Sequence, residues 1–347
     1  MAKTKHRSSA SQRRDEVKSQ RQQRMSSGSG KQSQSRNNRR ARNTRKSLPR
    51  GLVVGVLLVL VAVIGVFIYI SQQSSSTTGK SSTPTPTTAS VLDAVNNVSP
   101  SIFATVGTGG QQNIMVSSKK AGSTPPPLVG PSGKPEFFYA GAEYCPFCAA
   151  ERWGVVVALG RFGKFTHLNE TTSSPDDVYP STPTFTFYQS AYSSQYIDFV
   201  SVETEGQKQG VPLQTPTAEQ NQLISTYNAP PYFNSAGSIP FIDIGNQQLS
   251  QGANYSPQVL ADHSQQDIAN NLSNPNSDIT KGIVGTANYL TAAICMATNQ
   301  QPASVCTAAP IPQIEQTLGK TAFNNSHNQA TGLVYGPFDV VTRRQPD

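Results

Sequence analysis

Glu136-Phe137-Phe138-Tyr139-Ala140-Gly141-Ala142-Glu143-Tyr144-Cys145-Pro146-Phe147-Cys148-Ala149-Ala150-Glu151-Arg152-Trp153 is the stretch that decides the fold. It opens as a short aromatic, apolar run of strand type. Past the cysteines it continues through Val155, Val156, Val157 and Leu159 as a buried helix. Cys145 and Cys148 therefore fall where a strand turns into a helix. A helix N-terminus favours a thiolate, so the first sulfur is expected to carry a lowered pKa and act as a nucleophile. Two intervening residues let the second sulfur reach back and close a disulfide. Pro146 suits the first helical turn, where a missing N–H costs nothing.

Working outward, Ile114-Met115-Val116 reads as a weak strand, and Val91-Leu92-Asp93-Ala94-Val95 as the start of a short helix. After the cysteine helix, Phe165-Thr166-His167-Leu168, Thr184 to Tyr188 and Tyr196 to Val200 alternate as strands do. Ser238 to Asn246 reads as turn, strand and turn. Val259–Leu272 is expected as one helix and Asp278–Met296 as another, separated by Asn274-Pro275-Asn276. Trp153, Phe137, Phe138 and Phe241 are expected in the core.

Charge divides the chain sharply. Residues 1–50 contain 16 Lys+Arg and 2 Asp+Glu, a net of +14, whereas the whole chain of 347 residues is only +8. The remainder is therefore acidic. Poor in apolar residues, residues 1–50 are expected to be disordered. Gly51 to Ile70 is an uncharged run of Val, Leu and Ile, and twenty residues at roughly 1.5 Å each span about 30 Å, a bilayer core. The length of the preceding basic region and the absence of a small-x-small site at Ser71-Gln72-Gln73 favour a retained anchor over a cleaved signal. The positive-inside rule then places residues 1–50 in the cytoplasm and the C-terminal domain outside the cell membrane, on a single-pass anchor. With topology accounting for the basic tail, no nucleic-acid partner is expected. Residues 71–90, rich in Ser, Thr and Pro, are expected to form a stalk, and residues 91–347 the extracytoplasmic domain. All four cysteines fall in that domain, as suits an oxidising compartment.

Strand, Cys-x-x-Cys at a helix start, then Ile239-Pro240-Phe241 entering a second strand: this pattern resembles the thioredoxin-like superfamily. The resemblance implies a mixed α/β sheet flanked by helices, with Ile239-Pro240 as a cis pair that positions substrate backbone. Residues 138–153, together with Asp177-Val178-Tyr179-Pro180 and Thr291-Ala292-Ala293-Ile294-Cys295, look like a membrane-anchored family catalogued as domain of unknown function 929, over roughly residues 90–340. Departures are visible. Thioredoxin carries a buried carboxylate on the strand before its dithiol; the corresponding place is near Tyr139, and the nearest acids are Glu136 and Glu143. Phe147 stands where strong oxidases have His. The long interval between Cys148 and Pro240 implies an insertion, placed at residues 170–235.

The activity these features suggest is thiol–disulfide exchange on cysteine-containing client proteins, with Cys145 attacking and Cys148 resolving. A membrane or extracytoplasmic redox partner would recycle the pair, and no soluble cofactor is needed. Glu143 and Glu151 flank the dithiol as candidate proton-transfer groups; solvated helix-end charges are the plainer alternative. Cys295 and Cys306 suit a structural disulfide or a second redox pair relaying electrons. Two other readings compete: a non-catalytic thioredoxin-like binding module whose Cys-x-x-Cys is a static crosslink, and a copper or zinc metallochaperone. No metal site is expected, because Cys295-x10-Cys306 lacks a zinc-ribbon knuckle and His6, His167, His263 and His327 are scattered.

Overall fold

The computed structural model describes residues 84–324, apart from 113 and 120–123. The basic segment 1–50, the expected anchor 51–70 and most of the expected stalk lie outside these residues. No helix among the described residues is long and apolar enough to cross a membrane. Contacts divide the chain into Met1–Ser76 and Thr77–Asp347, and every described residue belongs to the second unit.

That unit is a mixed α/β structure with two sheets. In chain order its elements are β1 (Thr85–Pro86), α1 (Ala89–Asn96), α2 (Pro100–Val106), β2 (Val116–Ser117), β3 (Glu136–Gly141), α3 (Pro146–Leu159), β4 (Gly163–Thr172), β5 (Pro183–Ser194) and β6 (Asp198–Glu203). Then come α4 (Ala218–Tyr227), β7 (Phe241–Ile244), β8 (Gln248–Gln251), α5 (Gln265–Asn271), α6 (Asp278–Ala297), α7 (Ala303–Cys306) and α8 (Ile311–Asn324). Order therefore begins before Val91: Thr85 and Pro86, from the expected stalk, pair with Glu170 and Asn169 of β4.

The main sheet has the order β2-β8-β7-β3-β6. β3 and β6 run parallel, and a parallel neighbour needs a crossover, which the chain makes through α3, β4 and β5. β7 pairs antiparallel with both β3 and β8. All six residues of β3 are buried, as befits a strand with neighbours on both edges and cover on both faces. The second sheet, β1-β4-β5, is a long hairpin whose register shifts around His167. An aromatic cluster locks it against the first: Phe187 meets Tyr139 and Phe199 edge-on, each with ring centroids 4.9 Å apart.

The core is lopsided. One face of the main sheet carries the large cluster that includes α3, α6 and the inner side of β5. The other carries only Phe138, Ala140, Val202, Phe241 and Leu249, topped by half-buried residues such as Leu223, Ile224 and Tyr227 of α4. Trp153, Phe137, Phe138 and Phe241 are fully buried, as expected of core residues. α3 has no solvent face; all fourteen of its residues are buried. Gly154 lets α6 come close, since a Cβ there would lie 2.5 Å from a methyl of Thr286.

Two expectations change. The single helix over Val259–Leu272 is broken into a 3-10 turn at Pro257–Leu260 and α5. Asp262 takes a φ of +62°, which no helix accommodates, and Ser264 restarts the helix with a capping box to Asp267. The extra chain between Cys148 and Pro240 is also not one block: the β4–β5 hairpin precedes β6, and residues 204–240 with α4 follow it.

Candidate functional site

Cys145 is the N-cap of α3, and its Sγ accepts the Cys148 N–H at 3.1 Å. Both cysteines are free thiols and both are fully buried. Burial is the strongest influence on Cys145 and pushes its thiol up, with the Cys148 thiol adding to the rise. The Cys148 N–H and the Arg152 guanidinium act in the opposite sense. The sequence expectation of a lowered pKa is thus corrected: the helix end does donate an N–H, but desolvation of a thiolate outweighs it.

Two loops hold the turn that presents Cys145. Glu143 N–H donates to the Glu205 carbonyl at 2.9 Å, and Tyr144 N–H to the Gly206 carbonyl at 3.0 Å. On the other side Ser174 N–H donates to the Tyr144 carbonyl at 2.9 Å. Ser174 lies early in the β4–β5 connection, and Tyr179 on that connection meets the ring of Phe147 edge-on at 5.8 Å. Tyr179 of the Asp177-Val178-Tyr179-Pro180 motif therefore packs against Phe147, one of the two residues between the cysteines.

The Ile239–Pro240 peptide bond is cis. Ala140 of β3 pairs with Phe241 of β7, so Ile239-Pro240 lies at the sheet end where β3 runs out toward Cys145. The Pro240 carbonyl accepts the Gly252 N–H at 2.8 Å, fixing this junction to the end of β8.

Of the two carboxylates beside the dithiol, Glu151 is fully buried and faces the chain after β8. Its carboxylate accepts the Asn254 N–H at 3.1 Å and the Asn254 Nδ2 at 2.7 Å. Burial raises its pKa to about 8. It is therefore a buried acid, not a solvated helix-end charge. Glu143 is also buried, with Oε1 lacking a hydrogen-bond partner among the described residues. Burial raises its pKa too, while Thr186 and Arg152 oppose the rise.

Sequence reasoning missed the charge pair beneath the dithiol. Arg152 and Glu203 are both 0% exposed and form a two-pronged ion pair, Nε to Oε1 at 2.8 Å and Nη2 to Oε2 at 2.7 Å. Arg152 Nη2 also donates to the Ala142 carbonyl at 2.8 Å, the same oxygen that accepts the Cys145 N–H at 3.3 Å. The guanidinium carbon stands 5.8 Å from the Tyr139 ring centroid. A signal was present: Arg152 is a lone cation in an Ala- and Val-rich helix, four residues after Cys148 and so on its face.

A disulfide joins Cys295 and Cys306. Ala297, near Cys295 on α6, packs against Gly245, whose N–H bonds the Glu136 carbonyl at the start of β3. Cys145 follows the other end of β3, and six strand residues at ~3.3 Å each put the two sulfur pairs roughly 20 Å apart. That separation favours the structural reading of the Cys295–Cys306 disulfide over an electron relay. His167 on β4 is exposed, and no cluster of three or more His, Cys, Asp or Glu among the described residues could hold a metal. An open groove lined by Val98, Ile102 and Leu272 lies among α1, α2 and α5, and Asn96 of α1 meets Gly160, just past the end of α3 that is far from the dithiol.

Fold and site together define a mixed α/β domain built around a buried dithiol at the mouth of its central sheet. Residues 127–296 match the model of the family described as domain of unknown function (DUF929). The match is narrower than the expected 90–340; it includes the dithiol, Ile239-Pro240 and Cys295 but ends before Cys306. Neither a curated protein nor a solved structure matches the chain.

Proposed function

We propose that this protein is a membrane-anchored thiol–disulfide oxidoreductase of thioredoxin-like type, working outside the cytoplasm on cysteine-containing proteins. The observation that carries the reading is the free Cys145–Cys148 pair at the start of α3, at the same end of the sheet as the cis Ile239–Pro240 bond. The sheet order β8-β7-β3-β6, with parallel β3 and β6 and an antiparallel β7–β8 hairpin, supports the thioredoxin-like assignment. Residues 51–70 supply the anchor in this proposal.

In the reaction the Cys145 thiolate attacks one sulfur of a client disulfide. A Cys145–client disulfide forms, and the other client sulfur leaves as a thiolate with the electrons of the broken bond. Cys148 then releases its proton, for which Glu143 and Glu151 are the candidate acceptors, and attacks Cys145. The client leaves as a second thiolate, and Cys145–Cys148 is oxidised. Run backwards, the same steps oxidise a client dithiol. A membrane or extracytoplasmic dithiol partner returns the pair to its starting state. Because both sulfurs are fully buried, the chain around them must open before a client reaches Cys145, and the Tyr179 connection, packed on Phe147, is the candidate segment in this proposal.

The test is equilibration of the full chain with glutathione buffers, read by thiol trapping. Exchange that is lost in Cys145→Ser, with trapped mixed disulfide in Cys148→Ser, supports the reading. The complete burial of both sulfurs favours a second one, a binding module whose pair does not turn over. No exchange under native conditions would establish that alternative and end the enzymatic one.

A further inference from the structure

The core behind the dithiol contains two hydrogen-bond donors without acceptors. Arg152 Nη1 and the Tyr139 hydroxyl are both buried and have no hydrogen-bond partner among the described residues. Such groups are costly to bury and rare, so each asks for an explanation. Both lie within electrostatic range of the sulfurs: Arg152 acts on Cys145, Cys148 acts on Arg152, and both cysteines act on Tyr139.

The Arg152 guanidinium is also fixed rather than free to swing. Two prongs are on Glu203, and a third contact ties it to the Ala142 carbonyl that the Cys145 N–H shares. The titratable and charged groups around it are Tyr139 from β3, Glu143 from the turn, Glu203 from β6, and Cys145 and Cys148 from α3 itself. Glu151, next to it on α3, is turned away to Asn254. With thiols and Glu143 neutral, Arg152 and Glu203 cancel, and the spare donors have nothing to bond. Reduction and ionisation of the dithiol bring one negative charge into this pocket.

We propose that Arg152, held by Glu203 and assisted by the Tyr139 hydroxyl, is the built-in counter-ion of the dithiol's thiolate, a positioning residue that sets the redox poise. This rests on the oxidoreductase reading for its purpose, though not for its test. Stabilising the thiolate stabilises the reduced form, so the device makes the pair more oxidising. It would also offset the desolvation that otherwise keeps a buried thiol protonated.

The experiment titrates thiolate absorbance at 240 nm in the full chain in detergent, using Cys145→Ser/Cys148→Ser to subtract the tyrosines. The same proteins are equilibrated with glutathione. Tyr139→Phe removes a hydroxyl that bonds nothing, so folding should be unharmed. The expected result is at least a threefold lower thiolate fraction at a fixed pH on the rising part of the titration. Arg152→Gln/Glu203→Gln removes both charges at nearly constant volume. It should cut the thiolate fraction at that pH tenfold and, at a pH where the parent is largely ionised, move the glutathione equilibrium tenfold toward the disulfide, about 30 mV more negative. Arg152→Lys, which keeps the charge, should stay within threefold of the parent. Unchanged titration in Tyr139→Phe and in the double variant overturns the proposal. If the double variant does not fold, Tyr139→Phe alone decides, and an unchanged titration there overturns it. A parent protein that never exchanges with glutathione defeats the oxidoreductase reading separately, while the titration still decides the counter-ion.

Discussion

Replacing Arg152 by alanine strands the Glu203 carboxylate in a core with no water to solvate it. Removing one partner of a fully buried pair costs about 3–5 kcal/mol, whereas removing both is far milder. Urea unfolding should therefore show Arg152→Ala to be much less stable than Arg152→Gln/Glu203→Gln; equal losses would mean that the pair is not buried in solution. Glu151 makes a prediction in pH. Its folded pKa of about 8 lies above the unfolded 4.5, so its contribution is fully present below about pH 4.5 and is lost as pH rises through 8. Asp243, raised to about 8, and Glu136, raised to about 7, act in the same direction for the same reason, burial. The melting temperature should fall between pH 5 and 9, and Glu151→Gln should make that fall shallower. An unchanged slope would place Glu151 in contact with water. The sequence showed two acids near the dithiol and, in Arg152, a lone cation within an apolar helix, but not the partners of any of them. Which way a helical side chain faces depends on what packs against it, and the Asn254 partner is about a hundred residues away.

At the scale of elements, α3 and the β4–β5 connection control the dithiol. Gly154→Ala drives a Cβ into Thr286 and should cost about 1–3 kcal/mol, because α3 and α6 have no slack there. Tyr179→Ala removes the ring that lies against Phe147. It should speed alkylation of Cys145 severalfold while leaving the redox equilibrium unmoved; an unaltered rate would show that other parts of the loop guard the sulfur. The β3–α3 boundary could be read directly, because an aromatic strand and a Cys-Pro start carry strong local signals. The break at Asp262 was less visible, although the Ser264–Asp267 capping spacing was there to be seen. The second sheet could not be anticipated as a sheet. Alternation in Thr184–Tyr188 identifies a strand but not its partner, and β1 joins β4 from about eighty residues earlier in the chain.

For the molecule as a whole, the Cys295–Cys306 bridge and the dithiol should behave as independent parts. Cys295→Ser/Cys306→Ser opens a short loop and should cost about 2–3 kcal/mol in unfolding experiments. It should leave the glutathione equilibrium of Cys145–Cys148 within twofold of the parent, and a larger change would revive the relay between them. α3 and α4 mark the two extremes of the domain. α3 has no exposed residue, whereas α4 has no buried one. Random mutagenesis should therefore record the two helices very differently: α4 will accept many spellings, and α3 will behave as a passage in which nearly every letter is legible to selection.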